Sequence, residues 1–412
     1  MSELSVTDFR NRARAWLEQH APRRGGGGQE PGEPGRADIA TQKAFQARLY
    51  DAGFAGITWP ERYGGQGLTN AEQIAFTQVA RDFSLPVGAF VIGLGMPGPT
   101  MLELGTEEQK QRYLPRLLRG EEIWCQLFSE PSGGSDVAAL ITTAVRDGDG
   151  WVLNGQKVWT SGAQYSDYGA VIARTDPTVP KHNGITMFIV DMHAPGVTVR
   201  PLKVATGATP FNEVFFDQVR LPADSVIGEV DDGWRAAVIM LRNERVAIGT
   251  MAAPRTSPLS YHSLSGLAAR LGSGADPGLS RKLAELYARE RSVQLFGQLL
   301  REEAMAGRDP GPRGSVAKLA GAELGIFASQ VAAEVIGPAA AASDRADVRA
   351  VLNAVISAPG GSIAGGTNEI QRNIIGERVL GLPKDPGVDR GTPFNQLRVG
   401  TLGKGGGRGD WQ

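Results

Sequence analysis

Trp151-Val152-Leu153-Asn154-Gly155-Gln156-Lys157-Val158-Trp159 is the stretch on which the fold turns. Its apolar residues are β-branched, aromatic or leucine, and Asn-Gly sits at its centre. That pair favours a type I′ turn, whose twist matches antiparallel strands, so the stretch predicts a β-hairpin. Working outward, residues 169–174, 185–190, 197–204 and 213–218 are short and rich in Val, Ile, Phe and Thr. Gly, Pro, Asn or Asp bound each of them. Strands this close together, with no helical pattern between them, predict an antiparallel sheet or barrel over residues 123–232 rather than a βαβ fold.

Helical periodicity flanks this β region on both sides. Val6, Phe9, Ala13, Trp16 and Leu17 fall on one face of a helix over residues 4–20. Residues 41–52, 70–81 and 107–119 carry similar patterns. Between them RRGGGGQEPGEPGR (23–36) has no apolar residue to offset the entropy of ordering, and reads as a flexible surface loop. Helical patterning resumes at Gly233 and runs to about residue 381, with breaks at 272–278 and 307–314. The glycine-rich tail after Leu382 is expected to fray. The predicted class is α+β: a helical domain over 1–122, a β domain over 123–232, a helical bundle over 233–385 and a flexible tail over 386–412.

Composition narrows the chemistry. The 43 Lys+Arg balance 44 Asp+Glu for a net charge of -1, which leaves no electrostatic footprint for nucleic acid. One Cys and four His among 412 residues leave no internal disulfide and no Cys-rich zinc site, so no metal and a reducing, cytoplasmic setting are expected. No apolar run approaches the roughly 20 residues of a membrane span, and the N-terminus lacks the apolar core of a signal peptide. No Gly-x-Gly-x-x-Gly follows a strand into a helix, and no Walker-type loop is present. A nucleotide cofactor would have to be held in some other way.

Four segments can carry chemistry. In Phe128-Ser129-Glu130-Pro131-Ser132-Gly133-Gly134-Ser135-Asp136, small residues let backbone approach a ligand and successive amides can form an anion nest; an ordinary entry turn would read the same. Trp159-Thr160-Ser161-Gly162 offers an indole face and two hydroxyls to a flat ring, or a core tryptophan. Glu244 has Met240, Leu241, Ala247 and Ile248 at helical spacing, so its carboxylate lies on an apolar face. It is there either as a partner of an arginine or as a desolvated general base. Gly365-Gly366-Thr367-Asn368-Glu369 opens a helix, where free amides and Thr367 suit polar ligand groups or simply cap the helix.

In this order and spacing the segments resemble the acyl-CoA dehydrogenase family, over residues 40–385. FSEPSGGSDV, KVWTSG, NEVFFDQVRLPADSVIGEVDDGW and GGTNEIQRNIIGERVLG carry the resemblance. It implies an N-terminal helical domain, a middle β domain and a C-terminal four-helix bundle, with FAD bound non-covalently and acyl-CoA oxidised to the trans-2-enoyl thioester. It also implies electron-transferring flavoprotein as the acceptor. By the same resemblance Gln126, Phe128, Ser129, Gly134, Ser135, Trp159, Thr160, Ser161, Thr367 and Glu369 contact the flavin cofactor. Ser135, Arg245, Gly365 and Gly366 lie at the acyl-CoA.

The resemblance also bears on the base. Many members carry a catalytic Glu directly before the Gly-Thr of the last motif, where this chain has Gly365. Isovaleryl-CoA and long-chain acyl-CoA dehydrogenases instead place it on the earlier helix before an Arg, which here is Glu244-Arg245. The apolar-face pattern and the resemblance therefore converge on Glu244. Two motifs that usually serve FAD across a subunit interface depart from the family. No Arg-x-x-Phe-Gly is aligned (Leu295-Phe296-Gly297 comes too late), and Glu334-Val335-Ile336-Gly337-Pro338 stands where Gln-x-x-Gly-Gly is usual. The expected assembly is a homotetramer or homodimer, or a heterotetramer with a related subunit like the α2β2 dehydrogenases of bacterial steroid side-chain degradation. A flavin oxidase or monooxygenase, a scaffolding pseudo-subunit and a carrier-protein-bound substrate remain alternatives. The acyl group is not specified.

Overall fold

The computed structural model describes residues 5–23, 36–250, 257–305, 308, 311–384, 387 and 390–397, with side chains excepted at 36–37, 245–250, 301 and 304–305. Apart from its two ends, the loop expected at 23–36 lies outside the described residues. The chain forms two compact units. The first runs to Glu244, without Ala205–Gly207, and takes in the described C-terminal residues. The second comprises Arg245–Asp385 with Ala205–Gly207.

Six helices open the first unit: α1 Val6–His20, α2 Arg36–Asp51, α3 Asn70–Ala80, α4 Val91–Gly95, α5 Pro97–Leu104 and α6 Glu107–Arg119. Their ends follow from local side chains. Ser5 accepts the Asp8 amide, Thr69 with Glu72 and Thr106 with Gln109 form capping boxes, and left-handed Gly120 stops α6. The expected apolar stripe of α1 is buried: Phe9, Ala13 and Leu17 pack with Phe45, Phe54, Phe76 and Phe83.

Seven strands follow: β1 Trp124–Leu127, β2 Thr143–Asp147, β3 Gly150–Ser161, β4 Tyr168–Arg174, β5 Ile185–Asp191, β6 Val197–Leu202 and β7 Phe211–Leu221. The sheet order is β1-β4-β2-β3-β7-β6, with β5 also pairing β4. Most pairings are antiparallel as expected, but β1 and β2 each meet β4 in parallel. The alternation of β4 divides two cores: Ala170 and Ile172 face one, Val171 and Ala173 the other.

The hairpin expected at Asn154-Gly155 is displaced. β3 runs straight through that pair, and the turn lies earlier, between Asp147 and Gly150, where β2 and β3 pair in antiparallel register. Asn154-Gly155 marks instead a register shift against β7. Gly155 has φ 144°, and a Cβ there would stand 2.5 Å from Thr142 Oγ1. Asn154 Oδ1 accepts the Gln218 amide at 2.8 Å, closing the bulge. Local turn propensity yielded to the pairing of a long strand.

After Gly233 comes α7 Gly233–Thr250, whose part up to Glu244 belongs to the first unit. The second unit contains α8 Tyr261–Leu271, α9 Pro277–Met305, α10 Gly314–Ile336, α11 Ala339–Ala342, α12 Ala346–Ser357 and α13 Asn368–Ile374. Helices α8, α9, α10 and α12 pack as a four-helix bundle on Leu264, Leu267, Leu286, Val331, Val335 and Val351. Helix α10 with its lead-in is long and apolar enough to cross a membrane by length and composition. In the bundle it is the helix that α8, α9 and α12 all touch.

The tail expected to fray is docked in part. The Phe394 and Asn395 amides donate to Val179 O and Pro177 O, each at 2.9 Å. Phe394 is buried, with its ring 3.9 Å from the Arg174 guanidinium.

Candidate active site

The first unit brings most of the candidate residues into one neighbourhood. Strand β1 carries half-buried Gln126 and leads into Phe128 and Ser129. Alongside, the Val158 amide donates to Ser129 O at 2.9 Å, so the 128–130 segment lies against the far end of β3. There a second register shift falls between Lys157 and Thr160. Trp159 occupies the left-handed region, φ 60°, which a bulky residue enters only at a cost. The bulge turns its indole outward, 56% exposed, with its edge against Phe211. Gly134 and Ser135 are exposed, and a Cβ on Gly134 would meet nothing nearer than Ser129 Oγ at 4.0 Å. Space is therefore open beside the segment.

Thr160 is buried, and its hydroxyl lacks a hydrogen-bond partner among the described residues. So do Asn212 Oδ1 and Ser132 Oγ. Orphaned polar atoms of this kind point to a missing partner. The exposed indole face on the Trp159 bulge, with uncrowded backbone at Gly134 in the neighbouring segment, fits a flat heteroaromatic ring.

Glu244 stands in α7, which is tied to the rest of the unit by Arg242 to Glu103 at 2.5 Å and Asn243 Nδ2 to Thr100 Oγ1 at 3.4 Å. Gln126 Nε2 donates to Glu244 Oε2 at 3.5 Å. The base candidate and the first residue of the ring-facing segment thus meet, although 118 positions separate them in sequence. Of the apolar neighbours expected around Glu244, Met240 is fully buried in the core that also holds Met96, Met101 and Phe128, and Leu241 packs against it. The side chains of Ala247 and Ile248, and that of Arg245, lie outside the described residues.

The remaining candidates belong to the second unit. Gly365 and Gly366 both have positive φ, 65° and 84°, and Gln371 Nε2 donates to their carbonyls at 3.0 and 3.2 Å. A glutamate at position 365 would have to enter that left-handed conformation, which costs L-residues free energy. Thr367 caps α13, its hydroxyl accepting the Ile370 amide. Glu369 is exposed, its carboxyl held below the usual range by its own backbone amide and the Thr367 hydroxyl.

Sequence reasoning passed over several residues. Asn212 donates to Thr160 O at 3.0 Å and to Gln164 Oε1, bracing the bulge. Glu130 and Lys157 form a buried pair behind the ring-facing segments. Lys157 carried a signal, a charge inside a strand-like run, whereas Glu130 in its Ser- and Gly-rich segment carried none. An open cleft of about 440 Å³ is lined by His182, Asn183, Asp231, Asp232, Trp234 and Arg235. Asp231, Asp232 and Trp234 close the segment NEVFFDQVRLPADSVIGEVDDGW, but the sequence does not show that they meet His182 and Asn183.

The acyl-CoA dehydrogenase N-terminal, middle and C-terminal domain models match residues 7–121, 125–219 and 231–380. The chain belongs to the acyl-CoA dehydrogenase family. It is 37% identical over 382 residues to acyl-CoA dehydrogenase IpdE1 of Mycobacterium tuberculosis, covering 92% of this chain and 98% of the relative. A solved structure titled as the Tcur3481-Tcur3483 steroid acyl-CoA dehydrogenase superposes with TM-score 0.77 at 29% identity, covering 92% of this chain and 98% of that one. The ChsE4-ChsE5 complex from Mycobacterium tuberculosis gives TM-score 0.72 at 29% identity, covering 93% and 99%. The three-domain fold is that of acyl-CoA dehydrogenases, which are flavin-dependent oxidoreductases.

Proposed function

We propose that the chain oxidises an acyl-CoA at its α,β-bond with FAD as cofactor and Glu244 as the base. The observation that carries this reading is the meeting of Glu244 with Gln126, on the strand that leads into the segment paired beside the Trp159 bulge. Phe128, Ser129, Trp159, Thr160 and Ser161 would hold the flavin ring, with the orphaned Thr160 hydroxyl as one of its hydrogen-bonding partners. Thr367 and Glu369 would contact the cofactor, and Ser135, Arg245, Gly365 and Gly366 the thioester substrate. FAD, when bound, supplies the hydride acceptor.

Glu244 takes the α-proton of the thioester on a carboxylate oxygen. The electron pair of that C–H bond becomes the new double bond as the β-hydrogen leaves with its own pair. Gln126, donating to Glu244 Oε2, orients the carboxylate. Met96, Met101 and Met240 are buried in the core against which the Glu244 end of α7 packs. Trp234 and Glu244 are ten residues apart on α7, about 15 Å along a helix. The cleft at Trp234 is lined by the carboxylates of Asp231 and Asp232, and its one guanidinium, Arg235, is held by Asp232 at 2.5 Å, so its charge does not suit the phosphates of CoA.

Glu244→Gln tests the reading. Turnover of acyl-CoA with an artificial electron acceptor should fall by about 10²–10⁴-fold with the flavin spectrum retained. Activity near that of the unaltered protein would reject Glu244 as the base. Electron-transferring flavoprotein is the proposed physiological acceptor, and a cytoplasmic setting accords with the single buried free thiol of Cys125.

A specific observation also favours a heteromeric enzyme over a homomeric one. The two motifs that usually complete an FAD site across an interface are altered: Glu334 pairs with Lys282 at 2.5 Å on the bundle surface, and Leu295 is exposed. One related structure is itself titled as a complex of two chains. A related subunit supplying the missing contacts would complete the site. The chain expressed by itself should then purify without flavin and turn yellow with its partner; a yellow homo-oligomer with one FAD per chain would reject the two-chain form.

A further inference from the structure

We propose that Lys157 and Glu130 act together as a positioning pair that locks segments 128–130 and 157–161 in register and thereby sets FAD affinity. The inference rests on the flavoprotein reading above and goes beyond it, since neither side chain reaches the surface on which the ring would lie.

Both side chains are buried, at 0% and 1% exposure. Burying an ion pair is expensive, and an apolar pair of similar volume is often as stable or more so. A reason other than stability is therefore needed at this position, and the hydrogen bonds supply it. Lys157 Nζ donates to Glu130 Oε1 at 2.8 Å and to Phe128 O at 3.1 Å. Glu130 accepts the amides of Ile141 at 2.6 Å and Thr142 at 3.0 Å. Next to the pair, the Val158 amide donates to Ser129 O at 2.9 Å. Three separate stretches of backbone, at 128–130, 141–142 and 157–158, thus converge on two charges. Two residues beyond Lys157 the chain enters the strained conformation of Trp159.

The pair stands at the foot of that bulge, and on its other side it holds the carbonyl of Phe128. A strained bulge persists only where its surroundings over-determine it, and here a charged clamp does so. A second cation, Arg174, lies in the same field but spends its guanidinium on Ala138 O at 2.6 Å and Lys181 O at 2.7 Å, leaving Lys157 as the direct partner of Glu130. Burial pushes the Glu130 carboxyl up, yet Lys157 and the two amides outweigh burial and hold it below its usual range. Glu130 is thus ionised at neutral pH, and although burial pulls the Lys157 ammonium below its usual range, Glu130 opposes that shift.

The test uses the full-length chain, with a related subunit co-expressed if flavin uptake requires one. Lys157→Met, Glu130→Gln and the double variant are compared with the unaltered protein. The double variant removes both charges and so leaves none unpaired. It should melt cooperatively yet bind FAD about tenfold more weakly or worse in a fluorescence titration, and the visible circular dichroism of its bound flavin should change. A folded double variant with unchanged FAD affinity and unchanged flavin dichroism overturns the proposal. A measurement without variants stands beside it. Coupling is reciprocal, so FAD should slow hydrogen exchange at the Ile141, Thr142 and Val158 amides, and exchange that FAD leaves unaltered also overturns it. Unaltered protein that takes up no FAD in any form rejects the flavoprotein reading itself, and the proposal falls with it. Uptake by that protein with equal uptake by the double variant rejects the positioning role only.

Discussion

A single carboxylate shows how charge is managed in the β domain. Glu130 is ionised while buried because an ammonium and two amide N–H groups replace its water. Its native pKa lies below the ordinary 4.5, so its contribution to stability is complete above that value and is lost as pH falls through the lower native one. The acid limb of a urea-midpoint profile should therefore flatten in Glu130→Gln. At pH 7 the same change, which leaves Lys157 buried without its anion, should cost about 3–5 kcal/mol. An unchanged midpoint at neutral pH would show the pair to be energetically inert. Glu244 was legible in the sequence once its helical spacing and the family resemblance converged on it, whereas Glu130 was not. Its partner is 27 residues away, and only strand pairing brings the two together.

Strand β3 and the C-terminal segment both settle against their local sequence signals. Asn-Gly is a strong local turn signal, yet β3 passes through it because pairing with β2 on one side and β7 on the other outweighs one turn's propensity. Glycine is needed there for a different reason, close approach of Thr142. Gly155→Ala, with φ 144° and a 2.5 Å contact to accommodate, should lower stability by about 2–4 kcal/mol in a denaturant titration. A loss below the error of that titration would mean the bulge relaxes freely. The docking of Phe394 on Arg174 was equally invisible, because a lone aromatic in a polar, glycine-rich tail shows no periodicity. Phe394→Ala should cost about 3 kcal/mol and open the 177–181 turn to proteolysis. Wild-type resistance to protease would assign the segment no anchoring role.

For the molecule as a whole, assembly is the open variable that the surface addresses. Tyr287, Leu295 and Leu299 lie along one ridge of α9 at 55%, 48% and 46% exposure, an arrangement that a helix of a second chain would cover. Leu295→Lys should reduce the particle mass measured by light scattering, for the chain with or without a related subunit. A mass equal to that of the unaltered protein would place the interface elsewhere. The near-zero net charge neither opposes such association nor recruits nucleic acid.

The order of helical, β and helical regions, the family motifs and the candidate base were all readable from residues in line, because periodicity, turn chemistry and motif spacing are local properties of a chain. Tertiary structure alone decided the parallel pairings of β4, the bulges at Gly155 and Trp159, the Gln126–Glu244 contact and the buried Lys157–Glu130 clamp. Each of these joins positions far apart in sequence. Their energy comes from burial and from hydrogen bonds that exist only once the sheet has closed, so no window of sequence contains them.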